Sequence, residues 1–248
     1  MAIFVYAKIF GIIKLIYMNI KIKFGVIAAV FLFLIFAAYL YYAPIIKKNN
    51  EEKNFILEKE VQLSDNDKKT YEDRLNNAEQ LLTNATNDEE KLNALMMKGF
   101  NLQALGRLND AKLAFEAASK LKQDDFSPHK ALFDIKVEMN DLDGARQSAR
   151  KSIELAPHIA DTWVRYIEFE NFKMQTSNDS IGFLYIEALS KTNNHPDIVT
   201  NYARYLESIG NLQAAKEYWI KAGEINPPRA ALYANEVARL DTLLNQQQ

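Results

Sequence analysis

After residue 100 an eight-residue signature returns four times. Ala111-x-x-x-Phe115-x-x-Ala118 is followed by Ala145-x-x-x-Ala149-x-x-Ser152, Ile181-x-x-x-Tyr185-x-x-Ala188 and Ala215-x-x-x-Trp219-x-x-Ala222. The first members, at positions 111, 145, 181 and 215, recur at nearly constant intervals. Offsets of four and three place each set on one face of an α-helix. Turn-forming stretches precede three of the sets: Gly106-Arg-Leu-Asn-Asp, Asn140-Asp-Leu-Asp-Gly and Gly210-Asn-Leu-Gln-Ala. Gln123, Pro157, Asn193 and Pro227 each follow a set by five residues. The repeating unit is therefore a pair of helices joined by a tight turn. A pair this short cannot bury its own apolar stripe, so successive pairs must stack. With 8 Gly and 6 Pro among 248 residues, the composition suits long helices better than a many-turned β fold.

The pattern resembles the tetratricopeptide repeat (TPR), a 34-residue helix pair with alternating small and large residues. Trp163 sits in the slot that family often fills with Trp, one repeat after His129 and one before Val199. The third repeat departs by two extra residues near 175–179, expected to lengthen its internal turn. The second has Phe133 where a small residue is usual. The resemblance covers 87–227. It implies an all-α solenoid, with two antiparallel helices per repeat in a right-handed superhelix whose first helices line a concave face. Tyr71, Leu75, Ala78, Leu82 and Ala85 predict an amphipathic helix over 65–86 ahead of the repeats. Asn87 is placed to cap the next helix, with Glu90 three residues on, and Ser127 to cap the one beginning at Pro128. Leu232, Val237, Leu240 and Leu244 predict a capping helix within 228–248, which a solenoid needs at its end. Residues 47–64 read as a mixed polar, partly helical spacer.

Residues 24–46 run 23 positions without a charge, long enough for one transmembrane helix, with Tyr39, Tyr41 and Tyr42 grouped at one end. The run is longer than the apolar core of a cleaved signal peptide, and no small-x-small site closes it, so an uncleaved anchor is expected. Lys8, Lys14, Lys21 and Lys23 precede it, whereas Lys47, Lys48 and Lys53 follow. That asymmetry places the N-terminus inside and the repeats outside. Residues 1–23, apolar and basic, are read either as an interfacial helix or as sequence ahead of a true start at Met18.

Charge and motifs narrow the function. Of 30 Lys+Arg and 32 Asp+Glu, residues 1–50 hold six Lys and no acid, so the rest carries 24 against 32, a net −8. Such a surface argues against nucleic-acid binding. With no Cys there is no disulfide, thiolate metal site or Cys nucleophile. Phosphate-cradling, zinc-protease and serine-hydrolase motifs are missing from the sequence. His129, His158 and His195 lie too far apart along the chain for any two to share a helical turn. Neither an enzyme nor a cofactor or metal site is expected; His129, in the slot equivalent to Trp163, is expected to pack.

By resemblance, function belongs to the concave face. Its expected lining is Asn93, Met96, Phe100 and Gln103, then Ser127, Lys130, Asp134 and Val137, then Asp161, Val164, Arg165, Glu168 and Phe172, then Asp197, Thr200, Arg204 and Glu207. Large apolar groups at Met96, Phe100, Val164 and Phe172 are what a partner-binding surface would show and a merely solvated one would not. Counted without pairing, this lining is acidic by two, which favours peptides with Lys or Arg beside large apolar residues. Lys130 and Arg165 could mimic part of the carboxylate clamp known in this family. However, Phe100, Asp134 and Glu168 fill slots where that clamp has Asn. The expectation is a membrane-anchored scaffold that binds a protein partner, similar to bacterial inner-membrane TPR proteins with periplasmic repeats. Envelope protein biogenesis, complex assembly and cytochrome c maturation are all compatible settings. A structural oligomerisation module and a eukaryotic organelle receptor are the alternatives.

The repeat alignment is testable through stability. Ala215→Leu should overpack a helix contact and cost about 1–3 kcal/mol. Trp219→Ala should leave a cavity and cost about 3–5 kcal/mol. Thermal melts measure both, and a neutral result for either would refute the alignment.

Overall fold

The computed structural model describes residues 55–246. Every regular element among them is helical. Ten α-helices follow in order: α1 (Asp65–Asn84), α2 (Asp88–Ala104), α3 (Leu108–Leu121), α4 (Ser127–Glu138), α5 (Leu142–Leu155), α6 (Ala160–Glu168), α7 (Asn178–Lys191), α8 (Pro196–Ser208), α9 (Leu212–Ile225) and α10 (Ala230–Gln246). A π-helical turn, Phe169–Lys173, continues α6, and a 3₁₀ turn, Pro227–Arg229, precedes α10. The four pairs α2/α3, α4/α5, α6/α7 and α8/α9 are the four repeats. None of these helices is long and apolar enough to cross a membrane. The apolar run at 24–46, its orientation and both readings of 1–23 lie outside the described residues.

Local chemistry sets the ends. The Asn87 side chain accepts the Glu90 backbone N–H at 2.9 Å, and Glu90 in turn accepts the Thr86 N–H at 2.7 Å. Ser127 does not cap α4 but is its first residue, and its N–H donates to the Asp125 carboxylate at 2.8 Å. The turns inside repeats one, two and four each pass through a left-handed residue: Gly106 (φ 77°), Asn140 (φ 60°) and Gly210 (φ 80°). In each, an N–H reaches back five residues to close the first helix: Arg107 to Leu102, Asp141 to Lys136 and Asn211 to Leu206. Repeat three differs. There Gln175 is the left-handed residue, and the Thr176 N–H reaches back six residues, to Glu170. One extra residue is thus wound into the π turn. The other lengthens the turn to 174–177, where the other repeats need three residues.

All twelve signature side chains are buried. Small and large interlock across each pair: a Cβ on Gly99 would come within 2.3 Å of the Phe115 ring. In repeat two the order is reversed, with Phe133 in the slot of Gly99 and Ala149 in that of Phe115, both buried. Repeat four returns to small-on-large with Ala203 and Trp219. In repeat three α6 and α7 meet along far less of their length than the other pairs do. Tyrosines link α7 to the helices that follow it. Tyr185 stacks on Tyr202 at 4.9 Å between ring centroids, and Tyr202 meets Tyr218 edge-on at 4.6 Å.

The spacer is not helical where the structure describes it. Residues 55–63 form an extended strap across the internal turns of the first two repeats. Ile56 N–H donates to Met139 O, Asn109 N–H to Leu57 O, and Lys59 N–H to Gly106 O, each at 2.9 Å. Gly106 therefore serves twice, since a Cβ there would fall 2.0 Å from Lys59 O. A Cβ on Gly210, at the matching turn of repeat four, would meet nothing within 4 Å.

Gly210→Ala should cost about 1–2 kcal/mol for its left-handed backbone alone. Gly106→Ala should cost more, and should also expose 55–63 to proteolysis because the strap must lift. Equal melting losses with unchanged cleavage would show that the strap adds nothing.

Candidate functional site

The first helices α2, α4 and α8, with α6 and its π turn, carry every residue expected on the binding face. At their centre α4 and α6 part to form an open cleft of about 460 Å³. Five expected residues line it together: Asp134, Val137, Arg165, Glu168 and Phe172. Sequence reasoning missed its other walls, Phe133, Glu138, Phe169 and Lys173. Phe133 and Phe169 meet edge-on at 5.4 Å and form an apolar floor. Phe172 stands 73% exposed at the rim. The π turn explains that exposure: by adding a residue it changes which side chains face inward after Glu168. Phe169 and Glu170 are buried, whereas Phe172 points out.

The charges on this face are largely spoken for. Lys130 pairs with Asp161 at 2.6 Å, and Arg165 bonds to Asp134 one turn along the same two helices. Gln103 donates to Glu138 at 2.5 Å between α2 and α4. Glu207 accepts the Trp219 indole N–H at 2.6 Å and pairs with Arg239 of α10. The cations that could have imitated a carboxylate clamp are therefore already matched by acids. Among the described residues Glu168 has no ion-pair partner, and Glu138 has only a neutral amide. Of the expected lining, Glu168 and Asp197 keep no Lys or Arg partner and Arg204 no acid among the described residues; Glu168 and Glu138 lie on the cleft, together with Lys173. Burial pushes the Asp134 carboxyl up, with Arg165 and then Lys130 pulling against it, as expected beside an apolar floor.

Other expected residues lie apart. Met96 is half-buried against the first repeat's core, and Phe100, 51% exposed, rests edge-on upon Phe115 at 5.1 Å. Val164 is half-buried on the core side of α6. Arg204 and Glu207 face a second, smaller cleft with Tyr233 and Arg239 of the capping helix. The Arg204 guanidinium lies 5.8 Å above the Trp219 ring. The pair Glu207 and Arg239 is separated along the chain by almost the same interval as Asp134 and Arg165, close to one repeat. That interval was a signal in the sequence. His129 is half-buried, and burial lowers its pKa.

A buried ion pair supports the cleft from behind. Arg146 of α5 holds Glu170 bidentately, at 2.6 Å and 2.8 Å, and the Thr176 hydroxyl adds a third bond at 2.7 Å. Burial alone would push the Glu170 carboxyl up. Hydrogen bonds from Arg146, Thr176 and Tyr166 outweigh it and hold the group below the usual carboxylate range. The π turn is thereby fixed to the preceding repeat.

No family model matches the chain, and no curated protein matches it in sequence. In fold it is similar to solved structures. A crystal structure of MamA is 16% identical, covering 69% of this chain and 99% of that one, with a TM-score of 0.51. A second MamA structure is 17% identical over 67% and 88%, with a TM-score of 0.50. A thermophilic TPR protein of Thermus thermophilus is 18% identical over 68% and 91%, but its TM-score of 0.47 adds no weight. At such identities the likeness shows the fold alone, a stack of helix pairs.

Because the Glu170 carboxyl is held low in the folded chain, its stabilisation is fully present above the unfolded carboxylate pKa and fades as pH falls through the lower folded value. Arg146→Met should cost roughly 3 kcal/mol at neutral pH, near the low end for a broken buried pair because Arg146 is partly exposed. It should also reverse the sign. With burial, the largest influence, then opposed only by Thr176 and Tyr166, the carboxyl rises, so the variant should gain stability between about pH 7 and pH 5. Melts across that range decide, and a variant that tracks the parent would refute the assignment.

Proposed function

We propose that the chain is a scaffold that captures a protein partner through the face of its first helices, with the α4–α6 cleft as the main seat. The observation that carries this reading is the exposed Phe172 beside an apolar floor, with the unpaired Glu168 at the same mouth. Such a seat suits a large apolar side chain with a Lys or Arg next to it. Buried aromatic contacts supply most of the affinity at an interface of this kind. The acids set on-rate and orientation, and their contribution declines with salt. Phe100 and Met96 extend the apolar surface into the first repeat and give a longer peptide a second contact.

The uncharged run at 24–46 supports placing this scaffold at a membrane, and the lysine asymmetry supports an extracytoplasmic position for the repeats. In a bacterial inner membrane that position would bring it to clients in envelope protein assembly. Reporter fusions at Gln248 test the topology, and activity of a cytoplasm-only reporter there would overturn it.

For the cleft, the test is photo-crosslinking of the full chain in native membranes, with identification of the captured protein. Phe172→Ala should weaken capture by about 2 kcal/mol, roughly thirtyfold in Kd, and leave the melting temperature unchanged because the ring is mostly exposed. Glu168→Lys should change which partners are held. Undiminished capture of the same partners by Phe172→Ala would remove the cleft from the binding surface.

A further inference from the structure

α7 is apolar almost all the way round. Ile181, Tyr185, Ala188 and Leu189 are buried, yet Phe183 and Ile186 on its opposite side are 75% and 49% exposed. A helix apolar on every side ordinarily has a cover on every side. Beside it, where repeat three is spread, an open cleft of about 500 Å³ lies between α5 and α7. Its floor is Ile153, Trp163, Tyr166 and Leu184. The polar atoms of that floor are satisfied: the Trp163 indole N–H donates to Pro157 O at 2.8 Å, and the Tyr166 hydroxyl accepts from Arg150 Nε at 3.0 Å. The floor is therefore apolar, and of its four side chains Leu184 is the one left part-exposed.

The rim carries two cations, Arg150 and Lys191, and two acids, Glu154 and Glu187. Glu187 and Lys191 stand one turn apart on α7 without an ion pair among the described residues. On a helix, residues four apart are separated by about 40° of rotation. Phe183 therefore stands directly beside Glu187, and its projecting ring and the cleft form one surface. Glu154 is already paired with Lys151 and Arg150 bonds Tyr166, so that surface holds a knob, a hole and one unpaired charge of each sign, Glu187 and Lys191. A twofold contact demands this combination of a single patch, because each group must meet its complement on an identical copy.

We propose that this patch is a self-association surface, in which Phe183 of each copy seats in the Ile153–Trp163–Tyr166–Leu184 cleft of the other. Glu187 and Lys191 then pair across the contact. The surface involves α5, α7 and the Trp163–Tyr166 side of α6, and it shares no lining residue with the partner-binding cleft, so one chain can use both at once.

Because the chain has no Cys, single cysteines report without background. Two differently tagged full-length chains are co-expressed, one with Gln147→Cys beside the cleft and one with Ser190→Cys beside Phe183. A bismaleimide should join them, whereas Phe172→Cys in place of Ser190→Cys should give little product. Adding Phe183→Glu to both chains should cut the yield at least tenfold, with the melting temperature unchanged because that ring is mostly exposed. Absence of the 147–190 product would overturn the proposal. So would an equal yield at 172, or indifference to Phe183→Glu. Cross-linking at 190 to a different protein alone would assign the patch to another partner and also overturn it.

Discussion

Close approach of two helices through a small residue set against a large one is the contact on which this molecule depends. Gly99 against Phe115 shows how little room there is, since even a Cβ would strike the ring. Once each pair is locked this way, its remaining apolar faces can be covered only by the next pair. The core accordingly runs along the stack instead of gathering at one centre. α4 divides it: Leu132 and Ile135 join the cluster of Phe115 and Leu102, whereas Phe133 joins that of Trp163, Tyr185 and Trp219. A helix with a core on each side has little freedom to move, and it forms one wall of the candidate cleft. Binding groups on such an element are held in place at no further cost in ordering.

Repeat three breaks the interlock and supplies both features that look functional. Its two extra residues spread α6 from α7, and the consequences appear on both sides of the array. On one side the π turn pushes Phe172 out above Phe133 and Phe169. On the other an open cleft lies between α5 and α7 above Trp163 and Tyr166, which themselves stay buried. The buried Arg146–Glu170 pair keeps the irregular turn from drifting, and stacked tyrosines tie α7 to α8. A local exception to a repeating rule has thus been stabilised by two independent means. Irregular backbone retained at such expense is a common mark of sites under functional demand.

The helical repeats were legible because their determinants are local and recur. Signature spacing, turn residues and caps all act within a few positions, and four copies average out exceptions such as Phe133. The cleft was legible in part. Asp134, Arg165, Glu168 and Phe172 followed from helical spacing, but Phe133 and Phe169 did not, because a π turn shifts the facing by an amount the sequence does not declare. Ion pairing was equally hidden in the composition. A count of charges made the face acidic by two, whereas geometry matches Asp134, Asp161 and Glu207 across neighbouring helices and leaves Glu168 at the cleft. The strap could not have been found from side chains at all, since three backbone hydrogen bonds hold it and mixed polar sequence carries no signal for them.

That strap gives the array a defined response to tension. The chain passes the turn of repeat two first, then the turn of repeat one, and only then enters α1, so it runs backward along the stack before the helices begin. A pull applied ahead of residue 55 therefore reaches the bond at Ile56 first, then those at Leu57 and Lys59, and finally α1. Loaded in succession, these bonds part as in peeling, each resisting with about 1 kcal/mol of net strength. The strap is a mechanical fuse, giving way under small loads while α1 and the binding helices keep their packing.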